Sequence, residues 1–517
     1  MIFSSSIRKI YYGYIDALAG RGKTEYFVRT SVTLAGDGEK VLILLPRVAL
    51  CQEVLERIRI EIAKRNFAAP INLKTIHHEN CAGSVVGAII SHIKNEEYPE
   101  GEILILTMAA YDLINWNSFR LWAGARYLFI DEIPAADAFY DRNLPDYHGL
   151  ISTHMQTIPS GVPGYSSILC PDIEKVKEMA RNRGKDEVGD ILQPLAHVLS
   201  SKYWANWVED EHHEKLLAGK NSRLQVHSLR DPASFACGWK KVVVGGALFR
   251  NSMLYQIWSG FENVEFIEEL QLPGPNHHEN GELMTFHWAI SGRMTKHKRN
   301  KLRGNDGATG FANTFVQQSA QSLSSMGVSN NEVMFLSNKD DKTDFKDATQ
   351  LPYSPSGTND YRDKKYFVCT GAFNQNPAHE KFLIAASPRL DVNKIWRATH
   401  FSAIYQGGMR GVPRNPDNRE PVHYFIPDQQ TAWELMPYFP GCRSEGMGME
   451  NWRLPEAKQG GRPKKYADDE ERKQYDAERK REEWKQHDVE RTQKRKQEKL
   501  ERILKEWRIL NGLENAQ

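Results

Sequence analysis

Cysteine is scarce and scattered in this chain. The six, at 51, 81, 170, 237, 369 and 442, form no Cys-x-x-Cys pair and no spacing matched to histidine. A zinc site and a disulfide framework are therefore not expected, and a reducing cytoplasm suits the composition best. Long apolar runs are missing too: none approaches the ~18 residues that a membrane helix needs. The start, Met1-Ile-Phe-Ser-Ser-Ser-Ile-Arg-Lys, has no signal-peptide core, so no membrane partner is expected. The histidine pairs 77/78 and 212/213 are adjacent rather than four apart, which suits surface residues better than metal ligands. No repeat of solenoid length is present, and a net charge of +2 indicates no particular partner. What remains, over 517 residues, is 40% hydrophobic and 26% charged, the balance of a globular chain with two or three domains.

From residue 10 to about 137, apolar runs of four to five residues (11–15, 41–45, 103–106, 127–130) alternate with segments of helical period such as 48–64. That pattern predicts an α/β layer of parallel βαβ units, with ligands at the carboxyl ends of the strands. Behind the first run stands Ala17-Leu-Ala-Gly20-Arg-Gly22-Lys23-Thr24. A strand, a glycine-bearing loop and Gly-Lys-Thr opening a helix have the layout of a phosphate-binding loop, with Ala17 in place of the usual first glycine. Gly20 and Gly22 would let backbone N–H groups face phosphate oxygens, Lys23 would reach the β- and γ-phosphates of ATP, and the Thr24 hydroxyl would hold Mg2+. The fourth run ends in Asp131-Glu132. An acidic pair at a strand end supplies a second oxygen for Mg2+, Asp131, and a base for water, Glu132. A solvated turn is the plainer alternative.

These motifs, in this order, resemble the superfamily 2 helicases and translocases. Val41-Leu-Ile-Leu-Leu-Pro46-Arg47 resembles the family's backbone-contacting turn, with Arg47 directly after the proline. Ile103-Leu-Ile-Leu-Thr107 is similar to its strand ending in threonine, and Asp131-Glu132-Ile-Pro stands where the Asp-Glu box does. Val242-Val-Val-Gly245-Gly246-Ala247 occupies the place of the Ser-Ala-Thr segment but lacks its hydroxyls. Further on, Ser356-Gly357-Thr-Asn359-Asp360 resembles the loop beside bound nucleotide. Gln406-Gly-Gly-Met-Arg410-Gly-Val-Pro-Arg414 resembles the arginine motif, with its second arginine one residue late. The resemblance implies two RecA-like parallel-sheet domains forming a P-loop NTPase helicase core. It implies ATP held by Gly20, Gly22, Lys23, Thr24, Gly357 and Asn359, and catalysis by Glu132, Gln406, Arg410 and Arg414. It also implies nucleic-acid contacts by Arg47 and Thr107. Phe373-Asn-Gln-Asn-Pro377-Ala-His379-Glu-Lys-Phe382 and Gly461-Arg462-Pro463-Lys464-Lys465 are similar to segments of helicase-like proteins of phages and plasmids.

The organisation expected is a first domain over 1–290 with a largely helical insertion at about 138–235, a second over 291–454, and a charged, mainly helical extension over 455–517. A basic cluster around Lys296, Lys298 and Arg299 suits sequence-independent phosphate contact, or a basic linker. Arg462, Lys464 and Lys465 suit an extended element in an A·T-rich minor groove, again with a basic linker as the alternative. The mixed-sign tail suits a solvated helix that could dock replication proteins. The function expected is an ATP-dependent DNA helicase or translocase acting on a single strand or tailed duplex, in phage or plasmid replication. The alternative is an origin-binding initiator whose ATPase is a loading switch. A packaging motor fits less well, since a second motor-like domain stands where a nuclease would be.

Overall fold

A segment that is apolar at nearly every position must be covered on both faces, and a parallel sheet between helical layers does that. Each apolar run named above is accordingly a strand. The structure, a computed structural model, describes residues 9–454 except 66, 68, 82, 96–100, 145–146, 183–186, 237, 270–275, 304–309, 340, 342, 353–360 and 450. The first lobe is built on β1 (Ile10–Ala17), β2 (Lys40–Leu45), β3 (Asn72–Ile76), β4 (Glu102–Thr107) and β5 (Arg126–Asp131). The chain then leaves this sheet for β6 (Asp137–Asn143), β7 (Gln156–Pro159), β8 (Tyr165–Leu169), β9 (Trp204–Glu209) and β10 (Arg223–Arg230). It returns through β11 (Lys241–Ala247) and β12 (Val264–Glu268). The first sheet runs β12-β1-β11-β5-β2-β4-β3, all parallel.

Alternate residues of these strands divide between two cores. Val41, Ile43, Ile103, Ile105 and Phe129 face helices α1 (Lys23–Gly36) and α2 (Val48–Ala63). Leu42, Leu44, Leu104, Leu106, Leu128 and Ile130 face the opposite side, among Trp116, Trp239 and Trp258. Near-complete exclusion of these side chains from water at ~25 cal/mol per Å2 supplies most of the driving force for the lobe.

The second lobe carries β13 (Met284–Ile290), β14 (Val333–Leu336), β15 (Thr349–Gln350), β16 (Tyr366–Cys369), β17 (Val422–Asp428) and β18 (Arg443–Gly446). Its order is β15-β14-β16-β17-β13-β18, again all parallel. Because β13 belongs to this sheet, the second lobe starts before residue 291. Two parallel sheets in tandem, the first with a glycine-bearing loop behind its opening strand, are the RecA-like pair of the α/β class.

The insertion differs from its helical expectation. Besides the helices Ile173–Arg181, Glu187–Ser200 and Asp210–Leu217, it holds the antiparallel sheet β6-β10-β9-β8-β7. Residues 191–208, within the span expected to be helical, divide between most of the helix Glu187–Ser200 and most of β9. Its strands mix polar and apolar residues, as half-buried antiparallel strands do, and several covered positions are polar: Asn206, His227 and Ser228 are buried. That blurs the period-two signal. The C-terminal extension lies outside the described residues.

Candidate active site

Strand register places the site. Ala17 pairs with Ala247 and Gly245 with Asp131, so the carboxyl ends of β1, β11 and β5 lie side by side. The loop after β1 turns through Gly20 at φ +84° and Gly22 at φ +79°, left-handed conformations that a side chain resists. Lys23 opens α1, and its Nζ donates to the carbonyls of Ala17 (3.2 Å) and Leu18 (2.9 Å). The next residue, Thr24, donates from Oγ1 to Oδ2 of Asp131 at 2.6 Å. The glycine-bearing loop and the acidic pair, over 100 residues apart in sequence, are thus in direct contact.

A cavity of about 520 Å3 opens above them. From the first lobe it is lined by Gly20, Gly22, Lys23, Thr24, Asp131 and Glu132. From the second come Gln406, Arg410 and Arg414, and Gln406 is steadied by Ser402 (Nε2 to Oγ, 3.5 Å). The lobes touch at the loop itself: a Cβ on Gly20 would lie 3.2 Å from Arg414.

Burial governs the charges. It pushes Lys23 down to about 8, against the pull of Asp131 and Glu132. Arg414 falls to about 10 through burial and the neighbouring charge of Arg410, and Arg410 is itself lowered by burial. Asp131 and Glu132 are raised by burial, with Thr24 opposing the rise at the former and Arg410 at the latter. Crowded, desolvated cations are stabilised by an anionic guest. Thr24 and Asp131 are hard oxygen donors of the kind Mg2+ takes, and two protein oxygens suit an ion that keeps water and phosphate in its remaining positions. Among the described residues no cluster of three His, Cys, Asp or Glu stands ready for a metal.

The other expected residues fall elsewhere. Arg47 stands at the N-terminal end of α2, close enough for its charge to lower Arg410. Thr107 is buried, and its hydroxyl caps the helix Met108–Asp112 by accepting from Ala110 N at 3.2 Å. Lys296 is exposed, and Lys298 donates to the Arg293 carbonyl at 2.9 Å. Arg299, read as a phosphate contact, is instead buried in an ion pair with Asp341; a guanidinium in that position serves the lobe's interior. His77 and His213 are likewise buried, not surface residues. Gly357, Asn359, Arg462, Lys464 and Lys465 lie outside the described residues.

Two arginines went unread. Arg57 and Arg362 also line the cavity, and Glu53 on α2 joins them, paired with Arg57 and 3.9 Å from Arg362 across the lobes. A helical Glu–Arg pair at i,i+4 carries no mark of this role. The glycines at 245 and 246 gain a packing reason: a Cβ at 245 would sit 2.7 Å from the Phe27 ring, and one at 246 only 2.2 Å from Ile133.

No family model and no curated protein matches the sequence. Among solved structures the chain is similar to XPD in its apo form, with 10% identity, TM-score 0.46, and 85% of this chain and 97% of that one covered. A second XPD helicase structure gives 10% identity, TM-score 0.42, and coverage of 84% and 96%. A variant of Dbp5 from S. cerevisiae bound to RNA and ADP BeF3 gives 11% identity, TM-score 0.34, and coverage of 86% and 88%.

Proposed function

We propose that this protein is an ATP-hydrolysing motor on nucleic acid, a helicase or translocase. One observation carries the reading: a single cavity gathers a phosphate loop and an acidic pair from one lobe with Gln406, Arg410 and Arg414 from the other. In the proposed reaction the loop's N–H groups and Lys23 bind the phosphates. Thr24 and Asp131 hold Mg2+, which when bound offsets phosphate charge. Glu132, made more basic by burial, orients and deprotonates the attacking water. Arg410 and Arg414 neutralise charge developing on the transferred phosphoryl group. Because those arginines come from the second lobe, hydrolysis and product release change the contact between lobes, and that change is the working stroke.

DNA, as a single strand or tailed duplex, is the track we assign. The likeness of 373–382 and 461–465 to phage and plasmid helicase-like proteins supports replication of such an element as the setting, with the C-terminal extension as the docking segment for its partners. The test is an ATPase assay with single-stranded DNA, duplex DNA and RNA as stimulants, combined with strand displacement on tailed duplexes. Stimulation by DNA is expected, with Lys23→Ala and Glu132→Gln each lowering turnover by roughly 100-fold or more while thermal unfolding is retained. Full turnover in both variants overturns the assignment.

A further inference from the structure

We propose that Tyr405 is a positioning residue: its hydroxyl ties the phosphate loop to the helix that leads into the arginine motif, so that the loop and Arg410 keep one register. This rests on the hydrolytic reading above. The backbone N–H of Ala19, at the centre of the loop, donates to Tyr405 Oη at 3.0 Å, across 386 residues of sequence. Tyr405 is fully buried and is not among the cavity's lining residues, so it acts through other groups and not on the nucleotide itself.

The hydroxyl is oriented from its other side. His278, in the segment between the lobes, places Nε2 3.2 Å from Tyr405 Oη. Its ring stacks on Phe439 at 4.7 Å, and its backbone N–H donates to the Tyr438 carbonyl at 2.8 Å. Burial, with the charges of Arg21 and Lys23 nearby, pushes His278 down to about 3, so the imidazole is neutral. In the tautomer with Nε2 unprotonated, the neutral ring accepts a hydrogen bond from the tyrosine hydroxyl, and the tyrosine oxygen accepts from Ala19. That arrangement leaves neither the hydroxyl nor the amide without a partner in a buried place.

The tie reaches Arg410 through less than two turns of backbone. Tyr405 lies in the helix Ser402–Gly408 beside Gln406; its carbonyl accepts from Met409 N at 2.9 Å, and Arg410 N donates to Gly407 O at 3.2 Å. On the loop side, Lys23 occupies the Ala17 and Leu18 carbonyls and Gly20 abuts Arg414. A shift of the arginine segment therefore carries the loop with it, or breaks the Ala19–Tyr405 bond.

Tyr405→Phe tests this, because it keeps the ring beside Phe401 and Tyr438 and removes only the hydroxyl. Amide hydrogen exchange of a peptide spanning residues 17–22, in nucleotide-free full-length protein, is expected to accelerate by about tenfold, the loss of roughly one hydrogen bond. In DNA-stimulated hydrolysis kcat is expected to fall about tenfold, with KM changing less than about twofold. Added to Arg410→Ala, Tyr405→Phe is expected to cause little further loss, since its effect passes through that arginine. Unchanged exchange, a raised KM with kcat intact, or full additivity with Arg410→Ala each overturns the proposal. A wild-type protein inactive with every nucleic acid would overturn the hydrolytic reading instead, and exchange in the loop would still decide whether the tie exists.

Discussion

Gly246 shows how much one residue holds in place at this site. A Cβ there would meet Ile133 at 2.2 Å, and Ile133 adjoins Glu132, the proposed base. Gly246→Ala must displace the Ile133 side chain, at a stability cost of ~1–3 kcal/mol for overpacking. The expected outcome is reduced turnover together with a lowered melting temperature. Ile133→Ala added to it relieves the clash, and measured turnover should recover; failure to recover would place the damage elsewhere. At 245 and 246 alike, the neighbouring Phe27 and Ile133 leave no room for a side chain. Residues of this kind divide sharply in legibility. Lys23, Thr24 and Asp131 stand in short local motifs and could be read from the chain alone. Arg57 could not, because its pair with Glu53 looks like any helical i,i+4 pair, and Arg362 and Tyr405 could not, because their partners lie on the other lobe. Arg299 misled for the same reason: the basic run around it is visible in sequence, and its ion pair with Asp341 is not.

Among the elements, β4 and β5 are joined by a buried charge network at their amino ends. Glu102 accepts from His92 Nε2 at 2.5 Å and from Arg126 Nη2 at 2.6 Å, with all three side chains almost wholly covered. The Arg126 guanidinium also lies 3.5 Å from the Trp122 ring centroid. Burial raises the Glu102 carboxyl, but the hydrogen bond from His92 and the charge of Arg126 outweigh it, so its pKa stands below the ordinary 4.5. A depressed carboxylate pKa contributes stability that is full above 4.5 and lost as pH falls through the folded-state value. Glu102→Ala, which leaves Arg126 buried without its carboxylate, is expected to cost ~3–5 kcal/mol at neutral pH. In denaturant melts that gap should narrow below pH 4.5; a gap that does not change with pH would show the carboxylate charge to be irrelevant. Strands 41–45, 103–106 and 127–130 were readable because both their faces are apolar. The insertion sheet was hidden because part of its covered surface is polar: His227 and His379 stack there at 5.3 Å, their Nδ1 atoms 3.0 Å apart.

At the scale of the whole molecule, the described residues form one compact unit, and its lobes share a core. The helix Pro377–Ala386, which leaves the second sheet after β16, packs into the first-lobe cluster through Phe382, Leu383 and Ala386. Phe382 is fully buried, with ring centroids of His227 at 4.8 Å, Tyr165 at 5.1 Å and Trp207 at 5.4 Å. Beside it, Asp137 of the insertion accepts from Gln375 at 3.0 Å and meets His379 Nε2 at 3.1 Å. The insertion therefore bridges the lobes on the second side of the first sheet. Phe382→Ala is expected to destabilise the protein by ~3–5 kcal/mol, and calorimetry of the wild-type protein should show the lobes unfolding in one transition. Two well-separated wild-type transitions would contradict a shared core. By itself the sequence determined the strands 11–15, 41–45, 103–106 and 127–130 of the first sheet and the local patterns at Gly20–Thr24 and Asp131-Glu132, because each depends on residues within a few positions of one another. Only the tertiary structure decided that Arg410 and Arg414 meet that loop, that Tyr405 grips it, and that the insertion clasps the second lobe. Those contacts join residues more than 150 positions apart, and no local spacing encodes them.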